Sequence, residues 1–402
     1  MTPPLPRRLH ILRARDALQD IARGSRPADQ ILEALFRSHK EMGKRDRATV
    51  SDLVYGVLRD VGRLQCLAGS EPAGWLARHL ADAGHASSHL VTLGLPAPAE
   101  DGEVPLYAAR NLPFDLHERL VAEQGDKETA ALAAALNRPA PTDVRVNALK
   151  TTREDVLAQL GALGIPAQAT TWAATGLRLG QRLSRQSPLL LDGLIEPQDE
   201  GSQLLAQFAA PAPGETVIDW CAGAGGKSLA MAAQMQNRGR IIACDISASR
   251  LARIRPRADR AGVNLIETRP LPDPGLAAVQ ADLVLVDAPC SGTGILRRSP
   301  ELRLKAIHYE ALVSLQLSIL TEASRQVRVG GRLIYATCSL LAAENEAVVA
   351  AFVAMSPGFV QQRPAHADRA LAELVDARGG LRLWPHRQET DGFFAQNLVR
   401  QE

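Results

Sequence analysis

Residues 281–294 read ADLVLVDAPCSGTG and residues 333–340 read LIYATCSL: two apolar runs, each leading directly into a cysteine. A short Val/Leu run without polar alternation is the pattern of a strand buried on both faces, as in a parallel sheet. Pro289 has no N–H with which to continue a ladder, and the Ser-Gly pair after Cys290 favours a loop. Ligands of open α/β sheets bind beyond such carboxyl strand ends, so Cys290 and Cys338 are placed to face one pocket. A free cysteine is more often a small buried hydrophobe. Asp287 and Pro289 around one, and Thr337 and Ser339 around the other, argue against that role here.

The same kind of run recurs at TVIDWC (216–221) and RIIACD (240–245), with helical stretches between. Residues 198–402 are therefore expected to form an α/β, Rossmann-like domain on a doubly wound, mostly parallel sheet. GFFAQNLVR (392–400) is expected to add a further edge strand.

Upstream, residues 111–197 alternate strand-like and helix-like stretches. DVRVNAL (143–149) has strand alternation, and TTREDVLAQLGALG (151–164) opens with a Thr cap and closes on Gly. A small α+β module is expected there. Residues 1–105 read as helical: within 45–65, Val50, Leu53, Val54, Val57, Leu58, Val61 and Leu64 share one face, with Arg45, Arg47, Arg59 and Arg63 largely off it. That basic face is either a solvated surface or a contact for RNA phosphates. Residues 93–113, beginning LGLPAPAEDGEVP, are rich in Pro, Gly and acids and read as a linker.

The net charge of +2 conceals an uneven spread. Residues 1–63 carry 13 Lys/Arg against 8 Asp/Glu, whereas residues 71–103 carry one Arg against five acids. Five cysteines without a C-x-x-C spacing suggest neither a disulfide framework nor a zinc site, so no metal is expected. No apolar run approaches the roughly 20 residues of a membrane span, and MTPPLPRRLHILRARD lacks the apolar region of a signal peptide. A cytoplasmic monomer without membrane association is expected.

Asp219-Trp-Cys-Ala-Gly-Ala-Gly-Gly-Lys-Ser228 ends one strand and opens a helix. Glycines there let backbone approach a ligand closely, and the helix amino terminus offers free N–H groups. Asp245, about 20 residues on at the next strand end, is placed to grip ribose hydroxyls. Residues 221–228 also match the phosphate-loop pattern G-x-x-x-x-G-K-[ST] at every specified position but the first. A P-loop ATPase using Lys227 and Ser228 is thus an alternative on that motif alone. The strand-end acid and the two thiols favour a nucleoside cofactor.

Thiols beside such a cofactor suit one reaction in particular. Cytosine C5 is a poor nucleophile until a thiolate adds to C6 and makes C5 enamine-like, able to take a methyl group from a sulfonium. A thiol near pKa ~8.5 is only a few per cent ionised at neutral pH, so it needs help from a helix terminus, a neighbour or a cation such as Lys227. Asp287 is placed to hydrogen-bond N3 or N4 as addition proceeds. The target base must be single-stranded or flipped out.

These residues resemble the Sun-type RNA cytosine-C5 methyltransferases, which include the bacterial 16S rRNA methyltransferase B. The resemblance rests on Gln198–Ser202, Asp219–Lys227, Asp245 with Arg250-Leu251, Asp287–Gly294, Thr337-Cys-Ser339, Pro385-His386 and Asp391–Phe394. It implies S-adenosylmethionine as donor, held by Cys221, Ala222, Gly223, Ala224, Gly225, Gly226 and Lys227 with Asp245, Arg250 and Asp287. It implies Cys338 as the attacking thiol and Cys290 as the thiol that assists release. Arg145-Val-Asn147 is similar to the family's small RNA-recognition subdomain, and residues 44–64 to part of its NusB-type helical domain.

Two departures stand out: Gly223-Ala224 replace the family's Ala-Pro pair, and LIETRPLPDPG lies where relatives carry an Asp toward adenine or ribose, leaving Glu267 and Asp273 as the acids at hand. The expected activity is formation of 5-methylcytosine in RNA, with rRNA favoured over tRNA by the helical segment. A non-catalytic RNA-binding protein is a third reading.

Overall fold

The computed structural model describes residues 6–24, 26–364 and 369–402, so the first five residues of the amino-terminal stretch lie outside the description. The chain divides into two compact units, one of residues 1–139 with 295–307, the other of 140–294 with 308–402.

The first unit is helical. Its longer helices are Arg8–Ala22, Ala28–Ser38, Lys44–Leu58, Val61–Ala68, Pro72–Asp82, Phe114–Gln124 and Asp126–Leu136. The apolar stripe read over 45–65 points inward: Val50, Val54, Val57, Leu58 and Leu64 are fully buried beside Trp75 and Leu76. The single helix expected there breaks at Arg59-Asp60. Asn111 explains the break, for its side chain takes the freed Gly62 N–H at 2.7 Å and donates to the freed Arg59 carbonyl at 2.6 Å. Gly125, at φ +83°, likewise separates helix Phe114–Gln124 from helix Asp126–Leu136. Residues 111–139, read from sequence as the opening of the α+β module, fall in this unit.

The stretch 295–307 also belongs here. Buried Arg303 donates to the carbonyls of Asn111, Leu296 and Leu136 and to the Asn137 side chain, at 2.8–3.0 Å. Burial pushes its guanidinium down to about 9.

The second unit holds two sheets. Strands β1 (Thr142–Val146), β2 (Ala167–Ala169), β3 (Gly176–Leu179) and β4 (Ile195–Pro197) form an antiparallel sheet in the order β2-β3-β1-β4. Helix Arg153–Ala162 packs with it, capped as expected by Thr152, whose hydroxyl accepts from Asp155 N. This is the small α+β module.

The larger sheet comprises β5 (Thr216–Asp219), β6 (Arg240–Asp245), β7 (Ile266–Pro270), β8 (Ala281–Asp287), β9 (Val327–Thr337), β10 (Phe359–Gln361), β11 (Gly380–Leu383) and β12 (Phe393–Arg400). Its order is β10-β12-β9-β8-β5-β6-β7, with β11 also on β12. Strands β5 to β9 run parallel, as the apolar runs in β5, β6, β8 and the second half of β9 predict; β7, IETRP, is the polar edge strand of this set and shows no such run. Alternate side chains feed two cores: Val217, Ile241, Leu283 and Leu285 on one face, Ile218, Ile242, Val284 and Val286 on the other. Each such buried chain is worth about 1.5–3 kcal/mol, so the strand ends stand on a rigid base.

The expectation that β12 lies at an edge does not hold. It runs antiparallel to β9 on one side, and β10 and β11 cover its other side. Those two strands have three and four residues, too few for a hydrophobic period to show in sequence.

From β5 the chain runs outward through β6 and β7, then returns to the other side of β5 as β8. The crevice at the carboxyl ends of β5 and β8 is the switch point where such folds bind ligands. Asp219 and Asp287 terminate those two strands. No helix among the described residues is long and apolar enough to cross a membrane.

Candidate active site

Cys338 directly follows β9, and Cys290 lies three residues beyond β8. Their sulfurs are 3.4 Å apart. The loops carrying them are laced through Gly294, whose N–H donates to the Cys338 carbonyl at 2.9 Å and whose carbonyl accepts from Gly392 N–H at 2.8 Å. The hydrogen bond with Cys338, burial, and the charges of Cys338 and Glu344 all push the Cys290 thiol well up. Cys290 is held protonated beside its partner.

Lys227 is the second residue of helix Gly226–Gln234, and its ammonium donates to Asp287 Oδ2 at 2.6 Å. Burial works against that charge, but Asp287 foremost, then Asp219 and Cys338, prevail and raise it. A partly buried cation therefore stands among the strand-end acids and within electrostatic reach of the thiol. The same geometry excludes the P-loop reading. Lys227 is committed to a carboxylate, and Ser228 is fully buried with its hydroxyl donating to Asp219 at 2.6 Å, out of reach of a metal–phosphate group.

The turn before that helix places Gly223 at φ +57° and Gly225 at φ +80°, conformations glycine adopts without strain. Burial pushes the Cys221 thiol up, which makes it inert in the turn. Asp245 Oδ2 accepts from Gly223 N at 2.9 Å, and Oδ1 accepts from Ser247 N and from the Arg250 guanidinium, both at 2.8 Å. Three donors on a carboxylate with four lone pairs leave a place for one more, such as a ribose hydroxyl.

Two further features suit a nucleoside sulfonium that carries an amino group. Asp219 Oδ1 is buried without a partner, and Ile246, next to Asp245, is 80% exposed. The first is an acceptor awaiting a donor; the second is an apolar surface for a purine face. Burial raises the Asp219 carboxyl to about 6, against the pull of Ser228 and Lys227.

Of the two acids weighed in 265–275, Glu267 lies in the ladder opposite Ile242 and is paired with Arg240 and Arg269. Asp273 lies beyond the end of β7, caps Gly275 N at 2.8 Å and pairs with Arg269 at 3.3 Å.

Two arginines hold the turn from outside: Arg145, which the sequence marks only through its likeness to the RNA-recognition subdomain, and Arg257, which it does not mark. Arg145 on β1, buried, donates to the Gly226 carbonyl at 2.9 Å and to Gln198 Oε1 at 2.5 Å. Burial pushes it down to about 10. Arg257 grips the Ala224 carbonyl and pairs with Glu196 of β4 at 2.9 Å. Alternation in DVRV puts Arg145 on the face opposite the core valines Val144 and Val146, where sequence alone reads a solvated position, so neither hold on the turn was legible. The arginines of 45–63 are partly spoken for within their own unit. Arg63 pairs with Asp60 and Asp82, Arg47 donates to the Met42 carbonyl at 2.9 Å, and Arg45 is exposed.

Comparison with known proteins gives the family of the chain. The profile of the family described as 16S rRNA methyltransferase RsmB/F matches residues 206–399, and that of its ferredoxin-like domain matches 113–186. A probable ribosomal RNA small subunit methyltransferase B of Synechocystis sp. is 30% identical over 95% of this chain and 97% of its own. The corresponding protein of Bacillus subtilis is 35% identical over 64% of this chain, which spans 59% of that relative. The crystal structure of PH0851 aligns over the full length of both chains with a TM-score of 0.83 and 25% identity.

The protein is thus an S-adenosylmethionine-dependent RNA methyltransferase of the cytosine-C5 class. Within that class, the chain belongs to the 16S rRNA methyltransferase RsmB/F family.

Proposed function

We propose that this protein forms 5-methylcytosine in 16S rRNA in the cytoplasm, as a monomer, through a transient bond between Cys338 and cytosine C6. The contact of the Cys290 and Cys338 sulfurs beside the Lys227–Asp287 pair carries this reading.

S-adenosylmethionine, when bound, supplies an electrophilic methyl group; Asp219, Asp245, Arg250, Ile246 and the turn 221–226 are the residues that would hold it. Lys227 favours the thiolate of Cys338 by charge, and the Cys290 S–H donates to it. The thiolate adds to C6, Asp287 accepts from the pyrimidine amino group to hold the base, and the Lys227 ammonium offsets the negative charge that spreads into the ring as C5 becomes nucleophilic. Once Cys338 is a thioether, Cys290 no longer faces its neighbour's negative charge. Cys290 then gives its proton to solvent, takes the proton from C5, and the Cys338–C6 bond breaks by elimination.

The α+β module and the helical unit present RNA: exposed basic residues such as Arg45 contact phosphates, and 16S rRNA is favoured by the family to which the chain belongs. A tRNA substrate is the alternative. Mapping 5-methylcytosine in total RNA from cells with and without the protein tests the reading. Loss of a 16S rRNA position supports it, and loss confined to tRNA overturns the choice of substrate.

A further inference from the structure

Glu344 ends the short turn Ala342–Glu344 after the Cys338 loop, in the stretch LLAAENEAVV, and it is fully buried. Its Oε1 accepts from the hydroxyls of Ser291 at 2.5 Å and Ser339 at 2.6 Å. Its Oε2 accepts from Ser291 N at 2.8 Å and Gln316 Nε2 at 2.9 Å. Ser291 is the residue after Cys290, and Ser339 the residue after Cys338. Gln316 reaches on to the Pro289 carbonyl at 3.0 Å, just before Cys290. Tyr335 pins the Glu344 carbonyl at 2.6 Å.

Four donors fill the four lone pairs of this carboxylate, so it has none to spare for substrate or for a transferred proton. Taking a lone carboxylate out of water is costly, and charge-assisted hydrogen bonds offset that cost only when all are made together. An apolar side chain would fill the same space without that demand. What the carboxylate adds is a simultaneous hold on the backbone and side chains next to both cysteines, 48 residues apart in sequence.

We propose that Glu344 is a positioning residue, a clasp that holds the two cysteine loops so that their sulfurs stay in contact, and that this contact sets the rate of product release. The second half rests on the thiol mechanism proposed above; the first does not.

A trivalent arsenical, phenylarsine oxide, tests the clasp without RNA or donor. It condenses with two thiols, forming two As–S bonds and releasing one water, and binds tightly only where two sulfurs are in contact. The full-length protein is compared with its Cys290→Ala variant, in which Cys338 has lost its partner. Roughly tenfold tighter binding by the wild type is expected from the chelate effect, and Glu344→Ala should lose most of that advantage.

Glu344→Gln should keep the advantage, because the serine hydroxyls can turn to accept from the amide while its oxygen still accepts from Ser291 N and Gln316. Ser339→Ala, which removes one donor and leaves the core filled, should fall between. In turnover with RNA, Glu344→Ala should lower kcat about tenfold with KM for the donor unchanged and leave more protein–RNA adduct at steady state, and Glu344→Gln should restore both. Arsenical affinity in Glu344→Ala or Ser339→Ala equal to wild type overturns the clasp. So does a wild type no tighter than Cys290→Ala. An adduct that drains at the wild-type rate in Glu344→Ala overturns the link to release.

Discussion

The sulfurs of Cys290 and Cys338 lie 3.4 Å apart, each delivered by its own parallel strand of the sheet. That contact divides the labour between two chemically identical groups. Cys290 is held protonated by its neighbour, by burial and by the charge of Glu344; in the proposed mechanism it becomes a base only when Cys338 is occupied by the pyrimidine.

In the proposed mechanism, addition depends on the charge arrangement of Lys227 and Asp287, which are paired at 2.6 Å. Lys227→Met keeps the length of the side chain and removes the cation. A fall in kcat of about 100-fold or more is expected in single-turnover methyl transfer, with the folded fraction unchanged by circular dichroism. Retention of kcat within twofold would remove Lys227 from the reaction.

Asp219 links the site to stability. Its carboxyl stands at about 6 in the fold against an ordinary 3.8, so between these values the folded state binds the proton more tightly than the unfolded chain. The stabilising contribution is complete below pH 4 and is lost as pH rises to about 6. Asp219→Asn removes that dependence, so variant minus wild-type stability should climb by roughly 3 kcal/mol from pH 4 to pH 7. Denaturant melts at a series of pH values check this; a flat difference contradicts the assigned burial.

Gly294 is where the two cysteine loops and the start of β12 meet. A Cβ there would come within 2.3 Å of the Gly392 carbonyl and 2.8 Å of the Cys338 carbonyl, both backbone. Gly294→Ala should therefore cost about 1–3 kcal/mol and displace Cys338. Thermal unfolding and methyl transfer on one preparation check both effects, and an unshifted melt would contradict the packing.

Much of this design is visible in the chain. Strands β5, β6, β8 and β9 announce themselves because burial on both faces leaves an unbroken apolar run, and the cysteines stand out at their ends. Less was legible where the deciding partner is distant. The break at Arg59-Asp60 depends on Asn111, and the interior place of β12 depends on strands too short to show a period. The glycine turn reads almost as a phosphate loop until Lys227 is seen on Asp287, 60 residues away. Arg257 and Glu344 work through contacts that no local pattern encodes.

The covalent bond itself is the most direct test. Cys290→Ala protein, incubated with donor and unmodified rRNA and run on a denaturing gel, is predicted to give a slow-migrating protein–RNA band, because attack proceeds and release stalls. Cys338→Ala should give none and should transfer no methyl groups. A Cys338→Ala enzyme that still methylates cytosine, or a Cys290→Ala enzyme that never traps RNA, would contradict the account.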